Sequence, residues 1–318
     1  MIFVSIASYC DDLLSHTIKD AIKKAKNPQE LRFGVVEQNY YDKRLKITPE
    51  MKPLLRYVLI NPKESRGACW ARSICMSLYG NEDWFFQIDS HMVFDQDWDA
   101  KFIHAIDLLR QLNPKILISS YPSAFVREGN KIKKTIYRKT LVHVVSDGAV
   151  FGEPTSIHLP FQAFQSHYEK PVRGIHLGAG CIFTLGKFVQ EVPYDPFIYF
   201  NGEEQSLALR AFTHGYDIYH IPDQPVYHLY TTDENMKDRP KHWDEEDNKE
   251  RQEKWHDIHL RSAQRLLALF SGQDLGAYGV GRVRSLHDYI DFTGIDYLNR
   301  RVGGRAYTSF HALEKNGY

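Results

Sequence analysis

The first forty residues alternate two apolar runs with one amphipathic segment, and no other feature constrains the fold as strongly. Residues 2–8 form an apolar run with β-branched side chains, and residues 31–39 form a second apolar run, which is typical of buried strands. Between them, apolar residues recur at helical spacing until Asn27-Pro28 interrupts the pattern. A strand, a helix and a strand joined by short connections predict a βαβ unit with two parallel strands.

Similar patterns along the chain predict an open α/β sheet followed by mixed elements. Further strands are predicted at residues 54–60, 84–94, 115–122, 180–185, 217–222 and 226–230, and helices at 67–79, 98–112, 203–214 and 258–270. Residues 123–170 are predicted to be irregular, with short β-like runs. Ligands of open α/β sheets bind outside the carboxyl ends of the strands, so we expect a site just after Ser8, Glu37 and Ile88.

Composition argues against several classes of protein. The chain has 318 residues, with 40 Lys and Arg against 40 Asp and Glu, so wholesale electrostatic binding to nucleic acid or to an anionic membrane is not indicated. The four cysteines, at positions 10, 69, 75 and 181, form no CxxC pair, which argues against a zinc ribbon or a disulfide framework. The sequence shows neither a basic leader nor a run of about 20 apolar residues, which predicts a cytoplasmic protein with no membrane segment.

Three polar residues interrupt the apolar run at 84–94, and they are the strongest chemical signal in the sequence. Asp89 and His91 lie two positions apart, so in a strand both side chains point to the same face. An ionised carboxylate in such a run is costly unless it is paired or binds a metal. A carboxylate oxygen with an imidazole suits a borderline divalent ion such as Mn²⁺. The alternative is an Asp-Ser turn beside a histidine without a function.

The Asp-Ser-His motif resembles the Asp-x-Asp or Asp-x-His motif of GT-A type glycosyltransferases, which use nucleotide sugars. The resemblance implies that Asp89 and His91 bind Mn²⁺ or Mg²⁺, and that the ion bridges them to the diphosphate of a UDP-sugar donor. Such an ion neutralises the charge on the departing nucleotide. His228, in a later strand-like run, matches the histidine that completes the metal site in these relatives. The alternative for His228 is a structural histidine.

Several short stretches resemble the donor site of the same enzymes. Ser8 and Tyr9 lie at the end of the first strand and Glu37 near the end of the second, where these enzymes hold the nucleoside. Glu37 would accept hydrogen bonds from uracil or ribose. Arg72 lies in a Gly-x-x-x-Ala-Arg stretch before the metal strand and would reach the base or phosphate as a fixed cation. Gly180 would let the backbone approach the donor sugar closely. For Glu37 the alternative is an ordinary surface loop, and for Arg72 it is an exposed helical arginine.

Two carboxylates at the start of the predicted helix 203–214 are the candidate catalytic groups. The sequence around them resembles the second half of the catalytic domain of the polypeptide GalNAc-transferases, in which the first acidic residue after a glycine lies at the sugar and acceptor site. The resemblance implies that Glu203 has this position, with Glu204 as the next candidate. The alternative is a simple electrostatic stabilisation of the helix N-terminus.

Residues 277–296 closely resemble the C-terminal part of the protein-hydroxyproline N-acetylglucosaminyltransferase family, whose members also carry an Asp-Ser-His motif. The resemblance implies an α/β fold of the GT-A type, with a Rossmann-like open sheet over residues 1–232. A charged loop and a helical C-terminal extension over residues 233–318 would pack on it. The implied reaction transfers GlcNAc from UDP-GlcNAc to a hydroxyl acceptor with retention, which gives an α-linkage.

Two other functions remain open at this point. One is a transferase that uses another UDP-sugar, with a glycan or a hydroxylated nucleobase as acceptor; the basic residues within 131–139 and 282–284 would then track a phosphate backbone. The other is a non-catalytic protein that binds nucleotide sugars, against which the joint presence of the candidate metal and catalytic residues argues. The acceptor hydroxyl, on a protein, a glycan or a modified nucleobase, and the oligomeric state are left open.

Overall fold

The computed structural model describes residues 1–129, 131–149, 151, 158–230 and 240–307. Its strands are Ile2–Tyr9 (β1), Leu31–Gln38 (β2), Leu55–Ile60 (β3), Trp84–Ile88 (β4), Met92–Phe94 (β5), Ile116–Ser119 (β6), Ser123–Glu128 (β7), Lys131–Lys134 (β8), Leu141–Val145 (β9), Phe161–Gln165 (β10), Val172–Gly174 (β11), Cys181–Leu185 (β12), Asp217–His220 (β13), Val226–His228 (β14), Ile295–Asp296 (β15) and Arg301–Val302 (β16). Its α-helices are Leu14–Lys24 (α1), Ala68–Ser77 (α2), Trp98–Leu109 (α3), Phe188–Glu191 (α4), Glu203–Thr213 (α5), Glu245–Glu250 (α6), Trp255–Phe270 (α7) and Leu286–Thr293 (α8).

An eight-stranded sheet forms the centre of the molecule, in the order β11-β13-β6-β12-β4-β1-β2-β3. Strand β1 lies parallel to β2 and to β4, and β2 lies parallel to β3, which confirms the predicted βαβ unit. Strand β12 is inserted antiparallel between β4 and β6, so the sheet is mixed. The carboxyl ends of β1, β2 and β4 therefore lie along one edge of the sheet, where a ligand site was expected.

The apolar run at 84–94, predicted as one strand, is two strands in different sheets. Strand β4 ends at Ile88 in the central sheet, and β5 begins at Met92 in a four-stranded sheet of order β5-β14-β7-β8. The chain changes sheets at the three polar residues between them. At this break the Thr17 hydroxyl donates a hydrogen bond to the carbonyl of Ser90 at 2.7 Å and accepts one from the Met92 amide at 2.9 Å. These contacts satisfy backbone groups that the interrupted ladder leaves unpaired.

The region 123–170, predicted to be irregular with short β-like runs, contains four strands within its described part. Strands β7 and β8 pair antiparallel in the four-stranded sheet, and β9 and β10 form a separate antiparallel pair. Strands β7, β8 and β10 leave much of their polar surface exposed. A hydrophobic periodicity is therefore weak in these strands, which explains why the sequence pattern did not reveal them.

Two hydrophobic clusters cover the two faces of the central sheet. Adjacent residues of β4 point to opposite faces, so Phe85 joins one cluster and Phe86 joins the other. The Phe86 side is covered by α1 and α3, through residues such as Ile18 and Trp98. The Phe85 side is covered by α5 and by the C-terminal helices α7 and α8. This layered packing confirms the predicted α/β class.

The charge-dense segment at 231–257 lies only partly within the described residues. Residues 231–239 fall outside them, whereas the following residues include α6, and α7 begins at Trp255 rather than at residue 258 as predicted. Helix α7 packs against α5, and the division of the chain at residue 232 stays a prediction. In the described part of the chain, no helix has both the length and the apolar character needed to span a bilayer.

Phe183 should be among the most costly side chains to truncate, because aromatic rings surround it. Its ring centroid lies 4.9 Å from that of Phe102 and 5.7 Å from those of Phe86 and Trp84. We expect Phe183→Ala to lower the free energy of unfolding by about 3–5 kcal/mol, measured by urea denaturation. The control, Phe164→Ala at an exposed strand position, should cost less than about 0.5 kcal/mol. Equal losses in the two variants would contradict this packing.

Candidate active site

Three candidate metal ligands meet where the two sheets join. Asp89 follows β4 of the central sheet, while His91 precedes β5 of the four-stranded sheet. Strand β5 pairs antiparallel with β14, whose last residue is His228, so the pairing places the second imidazole beside the first. The Nε2 atoms of His91 and His228 are 2.8 Å apart, and His228 Nε2 lies 3.2 Å from Asp89 Oδ2.

This arrangement fits a divalent cation. One ligand atom from each of the three residues lies within 4.8 Å of the others. Two ligand atoms that each lie about 2.1 Å from an ion, with an angle of about 90° at the ion, are about 3 Å apart. The distances of 2.8 Å between the two imidazole nitrogens and 3.2 Å between His228 and Asp89 agree with this value. A carboxylate oxygen with two imidazole nitrogens is a donor set for a borderline ion such as Mn²⁺. The structure brings together the three residues that were predicted as metal ligands, and their binding of an ion stays a prediction.

A carboxylate that the sequence analysis missed orients one of the imidazoles. Asp11 Oδ2 lies 2.7 Å from His91 Nδ1 and accepts a hydrogen bond from Ser90 Oγ at 2.6 Å. Burial acts to raise the pKa of Asp11, but the hydrogen bonds from His91 and Ser90 outweigh it and lower the pKa to about 2. A carboxylate at Nδ1 keeps the proton there and leaves the Nε2 lone pair for an ion. The signal in the sequence is the Asp11-Asp12 pair in the polar break after β1.

Asp89 is held in place by a buried arginine and a glycine. Arg72 Nη2 donates a hydrogen bond of 2.7 Å to Asp89 Oδ1, and Arg72 Nη1 lies 3.0 Å from Glu203 Oε1. Burial acts to raise the pKa of Asp89, but the hydrogen bond from His228 and the charge of Arg72 outweigh it and lower the pKa. A Cβ atom at Gly180 would lie 2.5 Å from Asp89 Oδ2, so a residue without a side chain is needed beside this carboxylate.

Arg72 is not the exposed helical arginine that the sequence left as an alternative. Its side chain is buried, and it also donates a hydrogen bond of 2.6 Å to the carbonyl of Ala179. Two carboxylates and a carbonyl already contact its guanidinium group. The predicted contact of Arg72 with a base or phosphate therefore stays a prediction, whereas its role in holding Asp89 is visible in the structure.

Two cavities meet at Asp89 and Arg72. The first has a volume of about 390 Å³ and is lined by the end of β1 and by the candidate metal ligands. The second has a volume of about 330 Å³ and is lined by the start of α5, including Glu203 and Glu204. Asp89, Arg72 and Phe200 line both cavities. A ligand that extends from one cavity into the other would pass the candidate metal ligands.

Of the two residues predicted at the end of β1, one reaches the first cavity. Tyr9 lines it, and its hydroxyl group donates a hydrogen bond of 3.1 Å to Asp247 of α6. Burial raises the pKa of Tyr9 well above its usual value. Ser8 points to the opposite face of the strand, where it is buried, and it is not among the described residues that line either cavity. The Ser8 side chain faces the opposite side of the strand from Tyr9, and the predicted contact of Ser8 with the donor stays a prediction.

Glu37 is a buried carboxylate near the end of β2 rather than part of a surface loop, and its predicted contact with uracil or ribose stays a prediction. Its Oε1 accepts a hydrogen bond from Asn39 Nδ2 at 2.9 Å. Its Oε2 accepts hydrogen bonds from the Leu45 amide at 2.8 Å and the Tyr57 hydroxyl at 2.5 Å. Glu37 is 1% exposed and does not occur among the described lining residues of the two cavities. Two of these donors belong to the segment that follows β2, and the third belongs to β3. The hydrogen bonds to Glu37 therefore anchor the segment between the two strands.

The two candidate catalytic carboxylates begin α5 and face the second cavity. Burial raises the pKa of Glu203, and the charge of Arg72 offsets this effect only in part. Glu204 accepts a hydrogen bond from the Ala179 amide at 2.8 Å. Burial acts to raise the pKa of Glu204 as well, but hydrogen bonds from His176 and Ala179 outweigh it and lower the pKa. Neighbouring carboxylates with pKa values displaced in opposite directions are typical of functional sites, and the catalytic roles of both stay predictions.

Replacing Asp11 tests whether it orients His91. Asp11→Asn keeps the size of the side chain but removes the charge that holds the proton on His91 Nδ1. We expect the affinity for Mn²⁺ to fall about 10–100-fold, measured from free Mn²⁺ by electron paramagnetic resonance. Asp12→Asn, at the neighbouring exposed carboxylate, is the matched control and should bind Mn²⁺ as the wild type does. Unchanged affinity in Asp11→Asn would exclude this role.

Solved structures of two GT-A glycosyltransferases are similar to this fold. GalNAc-T7, in a crystal structure with UDP, GalNAc and Mn²⁺, matches with a TM-score of 0.60 and 13% identity over 99% of this chain and 58% of that one. S. aureus TarS matches with a TM-score of 0.52 and 11% identity over 94% of this chain and 43% of that one. The chain thus spans about half the length of these proteins. At such identity the likeness shows the fold alone, and it confirms the predicted GT-A type.

Sequence comparison assigns the family. A search of curated protein sequences gives no match. The family model described as Glycosyltransferase (GlcNAc) matches residues 1–55 and 48–299. These two ranges include the three candidate metal ligands and the lining of both cavities. The chain therefore belongs to the GlcNAc glycosyltransferase family.

Proposed function

We propose that the protein transfers N-acetylglucosamine from UDP-GlcNAc to a hydroxyl acceptor, in a metal-dependent reaction with retention. The observation that carries the proposal is the convergence of Asp89, His91 and His228 in the first cavity, at the point where Asp89 also lines the second cavity. This position suits an ion that binds a diphosphate while the nucleoside lies in one cavity and the sugar in the other. The similarity to GalNAc-T7, which was crystallised with UDP, GalNAc and Mn²⁺, supports these ligand classes, and the family assignment supports GlcNAc.

The first cavity suits the nucleoside of the donor. Its volume of about 390 Å³ lies within the range of small-molecule sites in proteins. Tyr9, His242 and Trp243 line it and offer flat surfaces to a base. The candidate metal ligands line the same cavity. A bound divalent ion would supply positive charge against the departing UDP.

The second cavity suits the sugar and the acceptor hydroxyl. In the transfer, the bond between the anomeric carbon and the diphosphate oxygen breaks, and its electron pair leaves with UDP. The acceptor oxygen bonds to the same carbon, and its proton passes to a phosphate oxygen of the leaving group. Positive charge develops on the sugar during this exchange. Glu203 and Glu204 line the cavity, where a carboxylate would stabilise that charge or orient the acceptor hydroxyl.

A donor assay tests the proposal. UDP release is measured with UDP-GlcNAc, UDP-GalNAc and UDP-glucose in the presence of Mn²⁺, first without an acceptor and then with hydroxyproline peptides, oligosaccharides and hydroxymethylated oligonucleotides. We expect the fastest turnover with UDP-GlcNAc. Faster turnover of another sugar would favour the alternative donor. Binding of UDP-sugars without turnover under any condition would favour the non-catalytic protein.

Metal removal should abolish turnover, because an ion is proposed to compensate the charge of the departing UDP. Added Mn²⁺ should restore the rate at least as well as Mg²⁺, since imidazole is a poorer ligand for the harder ion. His91→Ala should weaken the binding of both Mn²⁺ and UDP, measured by calorimetry. His104→Ala, at an exposed histidine of α3, is the control and should bind both normally. Undiminished turnover in excess EDTA would rule out the metal requirement.

Glu203→Gln separates a catalytic role from a structural one. The variant breaks a buried ion pair with Arg72, so it should lose stability whatever its role. Glu82→Gln is the matched control, because the buried Glu82 carboxylate lies 2.6 Å from Arg56 Nη2 outside both cavities. We expect Glu203→Gln to lower the single-turnover rate roughly 10²-fold, with a smaller effect on donor KM.

The control variant should be less stable but should react at the wild-type rate. Melting temperatures of both variants show whether the loss of an ion pair has a similar structural cost. If Glu203→Gln is destabilised to the same extent and is equally active, Glu203 has no catalytic role, and Glu204 becomes the candidate.

A further inference from the structure

A groove lined by aromatic side chains lies along α7 and joins the two cavities of the candidate active site. Its volume is about 530 Å³. Tyr199 and Trp243 line both the groove and the first cavity, and Asn201 lines both the groove and the second cavity. Phe200 lines all three. A molecule that occupies the groove would therefore end beside the candidate catalytic carboxylates.

The aromatic rings of the groove present flat surfaces. Trp255 packs nearly parallel to the buried ring of Tyr199, with an angle of 18° and a centroid separation of 6.3 Å. Phe200 and Trp243 lie 5.2 Å apart, and more than a third of each side chain is exposed. His259 follows Trp255 by one helical turn and lines the same groove. Exposed apolar patches next to a cavity are typical of ligand-binding surfaces.

The charges around the groove disfavour a polynucleotide. Its described lining residues include no lysine or arginine. At its rim, Glu245 Oε1 accepts a hydrogen bond from Trp255 Nε1 at 3.4 Å and lies 3.5 Å from His256 Nε2. A nucleic acid needs cationic side chains to replace the counterions of its phosphates. A groove with a carboxylate at its rim and no lysine or arginine among its described lining residues suits a neutral ligand.

The backbone around the groove disfavours an extended peptide. Peptides that bind as an added strand pair with an exposed strand edge. The described lining residues belong to α7 and to the loops at 199–201 and 243, and none belongs to a strand. The groove therefore offers side chains rather than a row of backbone hydrogen-bonding groups.

We propose that this groove binds a neutral saccharide and is the acceptor subsite of the transferase, an inference that rests on the proposed function. A pyranose ring has an apolar C–H face and hydroxyl groups at its rim. The C–H face matches the rings of Trp255, Phe200 and Trp243 through dispersion and weak C–H contacts. The hydroxyl groups match the polar groups of Asn201 and His259 at the same surface.

Saccharide binding is tested with the full chain and four defined probes. Cellotriose, maltotriose, mannotriose and triacetylchitotriose are titrated in the presence of Mn²⁺ and UDP, and contact is measured by saturation-transfer NMR. We expect at least one trisaccharide to bind, and Trp255→Ala to weaken that binding at least tenfold. His259→Ala should weaken it as well. Tyr41→Ala removes an aromatic ring that is 72% exposed and lies outside all three cavities, and it should have no effect.

Three outcomes would overturn the inference. The first is no saccharide contact in a wild-type protein that binds UDP and Mn²⁺, which leaves the proposed function intact. The second is unchanged saccharide binding in a folded Trp255→Ala or His259→Ala variant. The third is Trp255-dependent binding of a hydroxyproline peptide or a single-stranded oligonucleotide in place of the saccharides. Failure of the wild type to bind UDP with Mn²⁺ would instead contradict the proposed function.

Discussion

A single buried guanidinium group holds the candidate site together. Arg72 contacts two carboxylates that come from different elements, Asp89 after β4 and Glu203 at the start of α5. The buried carboxylate of Glu203 and the partly buried carboxylate of Asp89 would repel each other without a cation between them. The guanidinium group has enough N–H donors to contact both carboxylates and the Ala179 carbonyl at once. A lysine has a single nitrogen at the end of its side chain and could not reach the three acceptors in the same geometry. Arg72 and Asp89 line both cavities, so their contact holds together the boundary between the cavities.

Gly180 packs against the carboxylate of Asp89, which lines both cavities. The carboxylate of Asp89 occupies the volume that a side chain at position 180 would fill. The predicted close approach of the donor sugar to Gly180 stays a prediction, and in the structure a carboxylate oxygen of Asp89 lies closest to the position of a Cβ atom at this residue. Because Gly180 has no Cβ atom, the carboxylate of Asp89 can occupy its observed position beside the candidate metal site.

The parts of the fold that follow from hydrophobic periodicity were predicted well, and those that follow from polar contacts were not. The parallel pairing of β1 and β2 and the layered α/β packing are visible in the sequence as alternating apolar patterns. The break after β4 shows in the sequence as three polar residues, but the change of sheet depends on a distant hydroxyl group on α1. Strands with exposed polar residues, such as β8, leave no such pattern.

The same distinction applies to the candidate site. Asp89 and His91 were found because their residue types and spacing suggest metal binding, whereas His228 was found through the resemblance to the polypeptide GalNAc-transferases and their relatives. The structure brings all three together. Glu37 was assigned to the donor because its position at a strand end is correct, but its charge is satisfied by donors that fold back from the following loop and from β3. Asp11 was missed because a carboxylate that acts through a histidine has no spacing of its own in the sequence.

The change of sheet at residues 89–91 has a mechanical consequence. Asp89 is attached to the central sheet, whereas the two histidines are attached to strands of the four-stranded sheet. An ion bound by all three side chains would crosslink the two sheets. At a concentration 100 times its dissociation constant, such an ion would add about 2.7 kcal/mol to the free energy of unfolding. A small sliding of one sheet over the other would separate the ligand atoms, so the affinity for the ion would measure how well the two sheets are aligned.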